Sequence, residues 1–270
     1  MPDIAINGAQ LYYEDTGAGS TGEAIVFSHG LLWSLEMFRP QMDHLRERYR
    51  CIGYDHRGQG RSGDVEVRSI GMESLFQDAA GLIEHLELGR VHFAGLSMGG
   101  FVAMRMAARR PDLLRSLILM ETSADREPAE NIGRYRMMNA VARYAGLKLV
   151  ADRVMPIMFG QKFLADPARA SEREAWRERL MANRRSIWRA VNGVVDRDPV
   201  APELARIDLP TLIIVGEQDV ATVPEKAGRI HEAIKGSKLV RIPGAGHTST
   251  IEQPERVNAA LDEFLAALPH

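Results

Sequence analysis

One stretch limits the possible folds more than any other: Val91-His92-Phe93-Ala94-Gly95-Leu96-Ser97-Met98-Gly99-Gly100. A short strand-like run leads into Gly-Leu-Ser-Met-Gly, and a helical pattern follows from Phe101 to Arg110. A serine on a sharp turn between a strand and a helix has its hydroxyl held clear of the backbone, at a cost in the serine's own φ/ψ. Gly95 and Gly99 lack a Cβ, so strand and helix can approach closely on either side. The amide of Met98 then falls in the first helical turn, where N–H groups have no intrahelical partner and the dipole is positive. Such an amide is placed to stabilise an oxyanion.

The flanking sequence has the rhythm that such a turn requires. Asp3–Ile6 and Gln10–Glu14 alternate around Asn7-Gly8, a hairpin signal. Ala24–Phe27 is a continuous apolar run, as in a strand buried on both faces, and it ends in Ser28-His29-Gly30-Leu31-Leu32. A helix is expected from Leu35 to Arg48, a strand over Arg50–Tyr54, and a helix over Glu73–Leu88 stopping at Gly89. The nucleophile-turn helix closes on Arg109, Arg110 and Pro111, and Leu114–Met120 is the next strand. The alternation stops between 125 and 206, which is helical in pattern and rich in Arg, Met and aromatics. It resumes with strands at Thr211–Val215 and Lys238–Ile242 and helices at Pro224–Ile234 and Pro254–Leu268. The expected fold class is α/β, with a mostly parallel central sheet flanked by helices and an inserted helical cap. Three segments are expected: core 1–124, cap 125–206 and core 207–270.

Composition narrows the function. A chain of 270 residues with 45% hydrophobic content buries a sizeable core, and a formal net charge of -2 gives no field that favours nucleic acid or acidic lipid. The single cysteine, Cys51, cannot form an internal disulfide and is expected to pack as a small hydrophobe. No signal peptide is visible at the start, and no apolar run is long enough to span a bilayer. A cytoplasmic protein without membrane or nucleic-acid partners is the expectation. No metal-ligand cluster such as H-E-x-x-H is present.

A serine hydroxyl needs an adjacent base, and the base needs a third group to fix its tautomer. His247, in Pro243-Gly244-Ala245-Gly246-His247, and Asp219, closing Gly216-Glu217-Gln218-Asp219, each follow an expected strand. With Ser97 they form a candidate triad in the order serine, acid, histidine. Glu121, after the strand that follows the nucleophile helix, is a second candidate for the acid. The amide of Leu31 is the expected partner of Met98 in an oxyanion hole, with Leu32 as the alternative. His29 reads as a residue that holds its turn. Asp55 and Arg57, in the polar turn after Tyr54, read as a structural pair.

These motifs resemble the α/β-hydrolase superfamily over essentially the full chain. Gly95-Leu96-Ser97-Met98-Gly99-Gly100, Tyr54-Asp55-His56-Arg57-Gly58-Gln59-Gly60-Arg61-Ser62 and the His247 loop match its patterns. Ile251-Glu252-Gln253-Pro254-Glu255-Arg256-Val257-Asn258 is similar to the segment after the histidine in 3-oxoadipate enol-lactonase-like members. The resemblance implies a cofactor-free serine hydrolase with a helical cap, acting on a small carboxylic ester or lactone. A serine at the nucleophile position points away from the dehalogenase and epoxide-hydrolase branches, which use an aspartate there.

A carbon–carbon bond hydrolase of the meta-cleavage type, a cofactor-free haloperoxidase or perhydrolase, and a ligand-binding receptor are the other readings. Leu32, Trp33, Met138, Met158 and Trp188 are the candidate substrate contacts, with most cap methionines and aromatics, Met137, Met155 and Trp176 among them, expected simply to pack. Arg134, Arg136, Arg184 and Arg185 are candidate partners for a substrate carboxylate, although exposed helix arginines are commoner.

Overall fold

The structure is a computed structural model that describes residues 3–268. It opens with strands β1 (Asp3–Ile6) and β2 (Ala9–Asp15), joined at Asn7 and Gly8. Both turn residues have positive φ, 48° and 74°, the pairing that a two-residue hairpin turn of matching twist needs. Then come β3 (Ala24–Ser28), α1 (Arg39–Leu45), β4 (Arg50–Tyr54), α2 (Met72–His85), β5 (Val91–Leu96), α3 (Met98–Arg109) and β6 (Leu114–Met120). A wholly helical insertion follows: α4 (Ala129–Ala145), α5 (Ala151–Met158), α6 (Gln161–Ala165), α7 (Ala170–Met181) and α8 (Trp188–Val195). The chain then returns to β7 (Thr211–Gly216), α9 (Pro224–Ala233), β8 (Lys238–Ile242), α10 (Ser249–Glu252) and α11 (Pro254–Ala266).

The eight strands form one sheet in the order β1-β2-β4-β3-β5-β6-β7-β8. β1 and β2 run antiparallel, and every pairing from β4 to β8 is parallel. Every residue of β3, β5 and β7 is buried, which explains their largely apolar sequences; His92 in β5 is bonded to Ser116 and Glu23. The edge strand β8 instead exposes Lys238 and Arg241, charges that discourage edge-to-edge pairing. The register aligns Ser28 with Gly95, Leu96 with Met120 and Gly216 with Ile242, so the parallel strands end along one rim. Cys51 is fully buried and packs as a hydrophobe, and burial pushes its thiol up to about 12.

Three local readings differ from the sequence expectation. The helix expected over Leu35–Arg48 is a 3-10 turn (Leu35–Phe38) followed by the short α1, with Pro40 in its first turn. The Asp55 carboxylate accepts the Leu35 amide (2.8 Å) and fixes that start. Helix α2 ends at His85, and Glu87 and Gly89 then adopt left-handed φ of 50° and 66°. Asp55 and Arg57 are not a pair. Asp55 holds the amides of Leu35 and Arg61, whereas Arg57 is bound by the buried Asp78 (Nε–Oδ2 2.6 Å) and the Asn7 carbonyl. Both residues lie in the turn beyond β4, and each finds its partners in a different element.

Candidate active site

Ser97 sits between β5 and α3 at φ 52° and ψ -110°. A non-glycine residue in such a region costs on the order of 1–3 kcal/mol and persists only when its surroundings dictate it. Here the Ser97 amide donates to Met120 O (2.9 Å), and its carbonyl accepts from Phe101 N (3.0 Å) and Thr122 Oγ1 (2.9 Å). The glycines have a steric reason. A Cβ on Gly95 would lie 2.3 Å from Gly99 O, and one on Gly99 would lie 1.9 Å from Ser28 O.

His247, on the loop after β8, places Nε2 2.8 Å from Ser97 Oγ and Nδ1 2.9 Å from Asp219 Oδ2. A proton on Nδ1, directed at Asp219, leaves the Nε2 lone pair facing the serine hydroxyl. Asp219 lies in the turn after β7 and is 3% exposed. Its Oδ1 accepts the amides of Ala221 (2.8 Å) and Thr222 (2.9 Å), and its Oδ2 accepts Thr222 Oγ1 (2.7 Å). Burial alone would raise this carboxyl. His247 and the Thr222 donors outweigh burial and hold it below the usual carboxylate range, so it stays an anion.

Glu121 shares the neighbourhood but makes no hydrogen bond to His247. Its Oε1 accepts Gly216 N (3.1 Å), and Oε2 has no hydrogen-bond partner among the described residues. Complete burial, with the charges of Asp219 and Glu252 adding to it, pushes its pKa well above the ordinary range. An upward shift makes Glu121 a poorer source of negative charge for an imidazolium than Asp219, whose carboxyl is shifted down.

The Met98 amide opens α3, and Leu31 and Leu32 approach the serine from the β3 side. The Leu32 amide is already bound to Gln59 Oε1 (3.0 Å), whereas the Leu31 amide has no hydrogen-bond partner among the described residues. Leu32 has a left-handed φ of 72° and is held from both sides: Gln59 takes its N–H, and Asn183 Nδ2 donates to its carbonyl (2.9 Å). His29 holds the next turn, with Nε2 accepting the His56 amide (2.9 Å) and Nδ1 bound to Gly30 O (2.8 Å).

A cavity of about 120 Å³ opens between these groups and the helical insertion. A volume of roughly 150 Å³ admits a benzene ring, so the scale is that of a small acyl group. Leu31, Leu32, Trp33, Met138 and Met158 line it together with Ser97 and His247. Trp188 does not. The residues of α8 on the cavity are Val191, Val194 and Val195, whereas Trp188 opens the helix beyond the cavity edge, under the Arg143 guanidinium (4.1 Å). Met137 is exposed, while Met155 and Trp176 are buried. Arg134, Arg136, Arg184 and Arg185 also stay off the cavity: Arg136 pairs with Asp196, and Arg184 donates to the carbonyls of Gly60 and Ser62.

A family model described as alpha/beta hydrolase fold matches residues 23–254. The chain belongs to that family. It is 27% identical over 263 residues to 3-oxoadipate enol-lactonase 2 of Acinetobacter baylyi, covering 97% of this chain and 94% of that one. Among solved structures it is similar to a thermophilic esterase from Thermogutta terrifontis, with a TM-score of 0.90, 30% identity, and coverage of 98% of this chain and 97% of that one. It is also similar to the enol-lactonase from Burkholderia xenovorans LB400, with a TM-score of 0.89, 28% identity, and coverage of 98% and 100%.

Five residues of this α/β-hydrolase site escape a reading of the sequence. Thr222 had a local signal, because an aspartate commonly accepts the amide two residues on and a hydroxyl three residues on. Gln59 lay inside a recognised motif but had no assigned partner. Asn183 and Arg197 carried no signal, since each reaches its position through the path of the insertion. Glu252, buried after the histidine, bonds the amides of Gly246 (3.0 Å), Thr248 (3.2 Å) and Gly160 (2.8 Å). It ties the histidine loop to the end of α5.

Proposed function

We propose that this protein hydrolyses a small carboxylic ester or lactone through an acyl-enzyme on Ser97. The observation that carries the reading is one unbroken hydrogen-bond chain, Asp219–His247–Ser97, ending at an apolar cavity that Leu31 also lines, with the Met98 amide in the first turn of the helix that Ser97 precedes. Ser97 Oγ attacks the carbonyl carbon while His247 Nε2 takes its proton. Asp219 orients the imidazole and stabilises its charged form. The developing oxyanion is held by the N–H groups of Met98 and Leu31. Collapse breaks the acyl–oxygen bond, and His247 returns the proton to the leaving alkoxide; in a lactone, that oxygen stays tethered to the acyl group. Water, deprotonated by His247, then attacks the acyl-enzyme and releases the acid.

Residues 125–206 serve as a cap over the strand ends of the core, 1–124 and 207–270. The cap supplies Met138 and Met158 to the pocket and excludes water from it. Through Asn183 it also holds the loop that carries the Leu31 amide, so its removal reaches the chemistry as well as specificity. The names of the enol-lactonase and esterase relatives agree with the reaction class. Pre-steady-state hydrolysis of an aryl acetate tests the reading. It should show a burst of phenolate with one equivalent of acyl adduct in the intact mass, both lost in Ser97→Ala. Turnover with no burst and no adduct under conditions that trap slow deacylation would contradict it.

A further inference from the structure

The cavity wall holds two charged side chains apart from the candidate triad, and they face each other. Glu127 follows the exit of β6, and Arg197 follows the end of α8. Glu127 Oε2 accepts from Arg197 Nη1 (3.0 Å), with side-chain exposures of 8% and 2%. Arg197 is fixed by more than this bond. Its Nε donates to Asp125 O (3.1 Å), its Nη1 also donates to Val194 O (2.8 Å), and its guanidinium lies over the Phe101 ring at 4.3 Å. Phe101 is one helical turn from Ser97 and itself lines the cavity. The adjacent backbone is fixed too, because Arg105 donates to Asp198 O (2.7 Å) and Val200 N to Ala124 O (2.8 Å). Glu127 Oε1 also accepts from Asn131 Nδ2 (3.0 Å), and among the described residues the rest of the wall carries no further charge outside the candidate triad: Tyr135 and Asn139 are polar but neutral, and Val191, Val195 and Ala142 are apolar.

We propose that the Glu127–Arg197 pair makes the cavity selective for uncharged substrates and rejects those that carry a carboxylate. The inference rests on the ester-or-lactone reading above. A buried ion pair presents no net charge to a ligand, while each partner keeps the other's charge satisfied. A carboxylate brought to Arg197 must share the guanidinium with Glu127 at close range and lose its hydration in an apolar chamber. A neutral acyl group meets neither penalty. Arg197 Nη2 makes no hydrogen bond among the described residues, so one donor is left for a neutral acceptor such as a carbonyl or ether oxygen. The pair is thus a charge filter made of a cation already occupied by its own carboxylate, rather than a carboxylate receptor.

The experiment compares 4-nitrophenyl pentanoate with the 4-nitrophenyl monoester of glutaric acid, which differ by a terminal carboxylate. Wild-type kcat/KM should favour the neutral ester by about 100-fold or more, the scale of a desolvated, unpaired charge. Glu127→Gln keeps the shape and a hydrogen-bond acceptor and leaves Arg197 on Val194, Asp125 and Phe101. It should raise the ratio of kcat/KM for the acid to that for the neutral ester at least about tenfold. Arg197→Gln is the mirror test and should admit a 4-nitrophenyl 5-aminopentanoate instead; it also decides the question if circular dichroism shows that Glu127→Gln does not fold. Wild-type rates equal for acid and neutral ester would overturn the inference, as would folded variants whose charge preference is unchanged. The latter result would make the pair a brace for the neck of the cap. Absence of turnover with both esters in the wild type would overturn the ester-hydrolase reading instead.

Discussion

The left-handed Leu32 makes the oxyanion loop the most informative place to perturb. Its φ of 72° is maintained by Gln59 from the core and Asn183 from the cap. If either bond is lost, the Leu31–Leu32 peptide can relax and the Leu31 amide turns from its aim. Asn183→Ala removes one neutral hydrogen bond whose acceptor can turn to water, a net of about 0.5–1.5 kcal/mol, which is about a 2- to 12-fold loss in kcat. Gln59→Met is more severe, because Gln59 is buried and its loss strands the Leu32 N–H: about 1–3 kcal/mol, or about 5- to 150-fold. The ceiling is the loss of one whole oxyanion donor, about 10²–10³ in kcat. The assay is steady-state hydrolysis of a small activated acetate, run beside inhibition by a boronic acid that forms a tetrahedral adduct on the serine. kcat should fall while KM stays within about twofold, and the boronate Ki should rise in step with the loss in kcat/KM. A KM effect with kcat intact, or a boronate Ki that does not move, would refute the reasoning and leave both side chains as scaffolding.

Asp219→Asn should lower kcat roughly 10⁴-fold by allowing the wrong histidine tautomer, as in the serine-protease triad, whereas Glu121→Gln should retain most activity; stopped-flow and steady-state rates on one aryl ester separate them. Glu121 also predicts a pH dependence of stability. Its folded pKa lies well above the unfolded value of 4.5, so the folded state binds the extra proton between the two. The wild type should therefore lose stability as pH rises above 4.5 toward that folded pKa, by up to about 1.4 kcal/mol per pH unit from this group, and urea unfolding of Glu121→Gln should lack the decline. Gly99→Ala should abolish soluble folded protein or activity, because its Cβ would lie 1.9 Å from Ser28 O; a folded, active variant would show that the turn is looser than described.

The sequence made the core legible because its signals are local. A continuous apolar run marked β3, Asn7-Gly8 marked the hairpin, and glycines around Ser97 marked a turn that other residues cannot make. Ser97, Asp219 and His247 were readable because each follows a strand, and parallel strands share one rim. The pocket was less readable. Met138 and Met158 line it, but Trp188 does not, because the residue at which α8 begins decides which turns reach the cavity. None of the four arginines that looked available as carboxylate partners lines the cavity; Arg136 is bound to Asp196 and Arg184 to backbone carbonyls. The one arginine on the cavity, among the described residues, sits in Val195-Asp196-Arg197-Asp198 and gives no hint of its neighbours. Contacts such as Asn183 with Leu32 join residues 151 apart in sequence, and only the path of the chain brings them together.

The central claim is that Ser97 is a nucleophile activated by His247, and one labelling experiment addresses it most directly. Wild-type protein is treated with a fluorophosphonate, digested, and the modified residue located by peptide mass spectrometry, in parallel with Ser97→Ala and His247→Gln. The account predicts a single stoichiometric adduct on Ser97, none in Ser97→Ala, and labelling slowed by orders of magnitude in His247→Gln. An adduct on another residue, or labelling at an undiminished rate in His247→Gln, would contradict it.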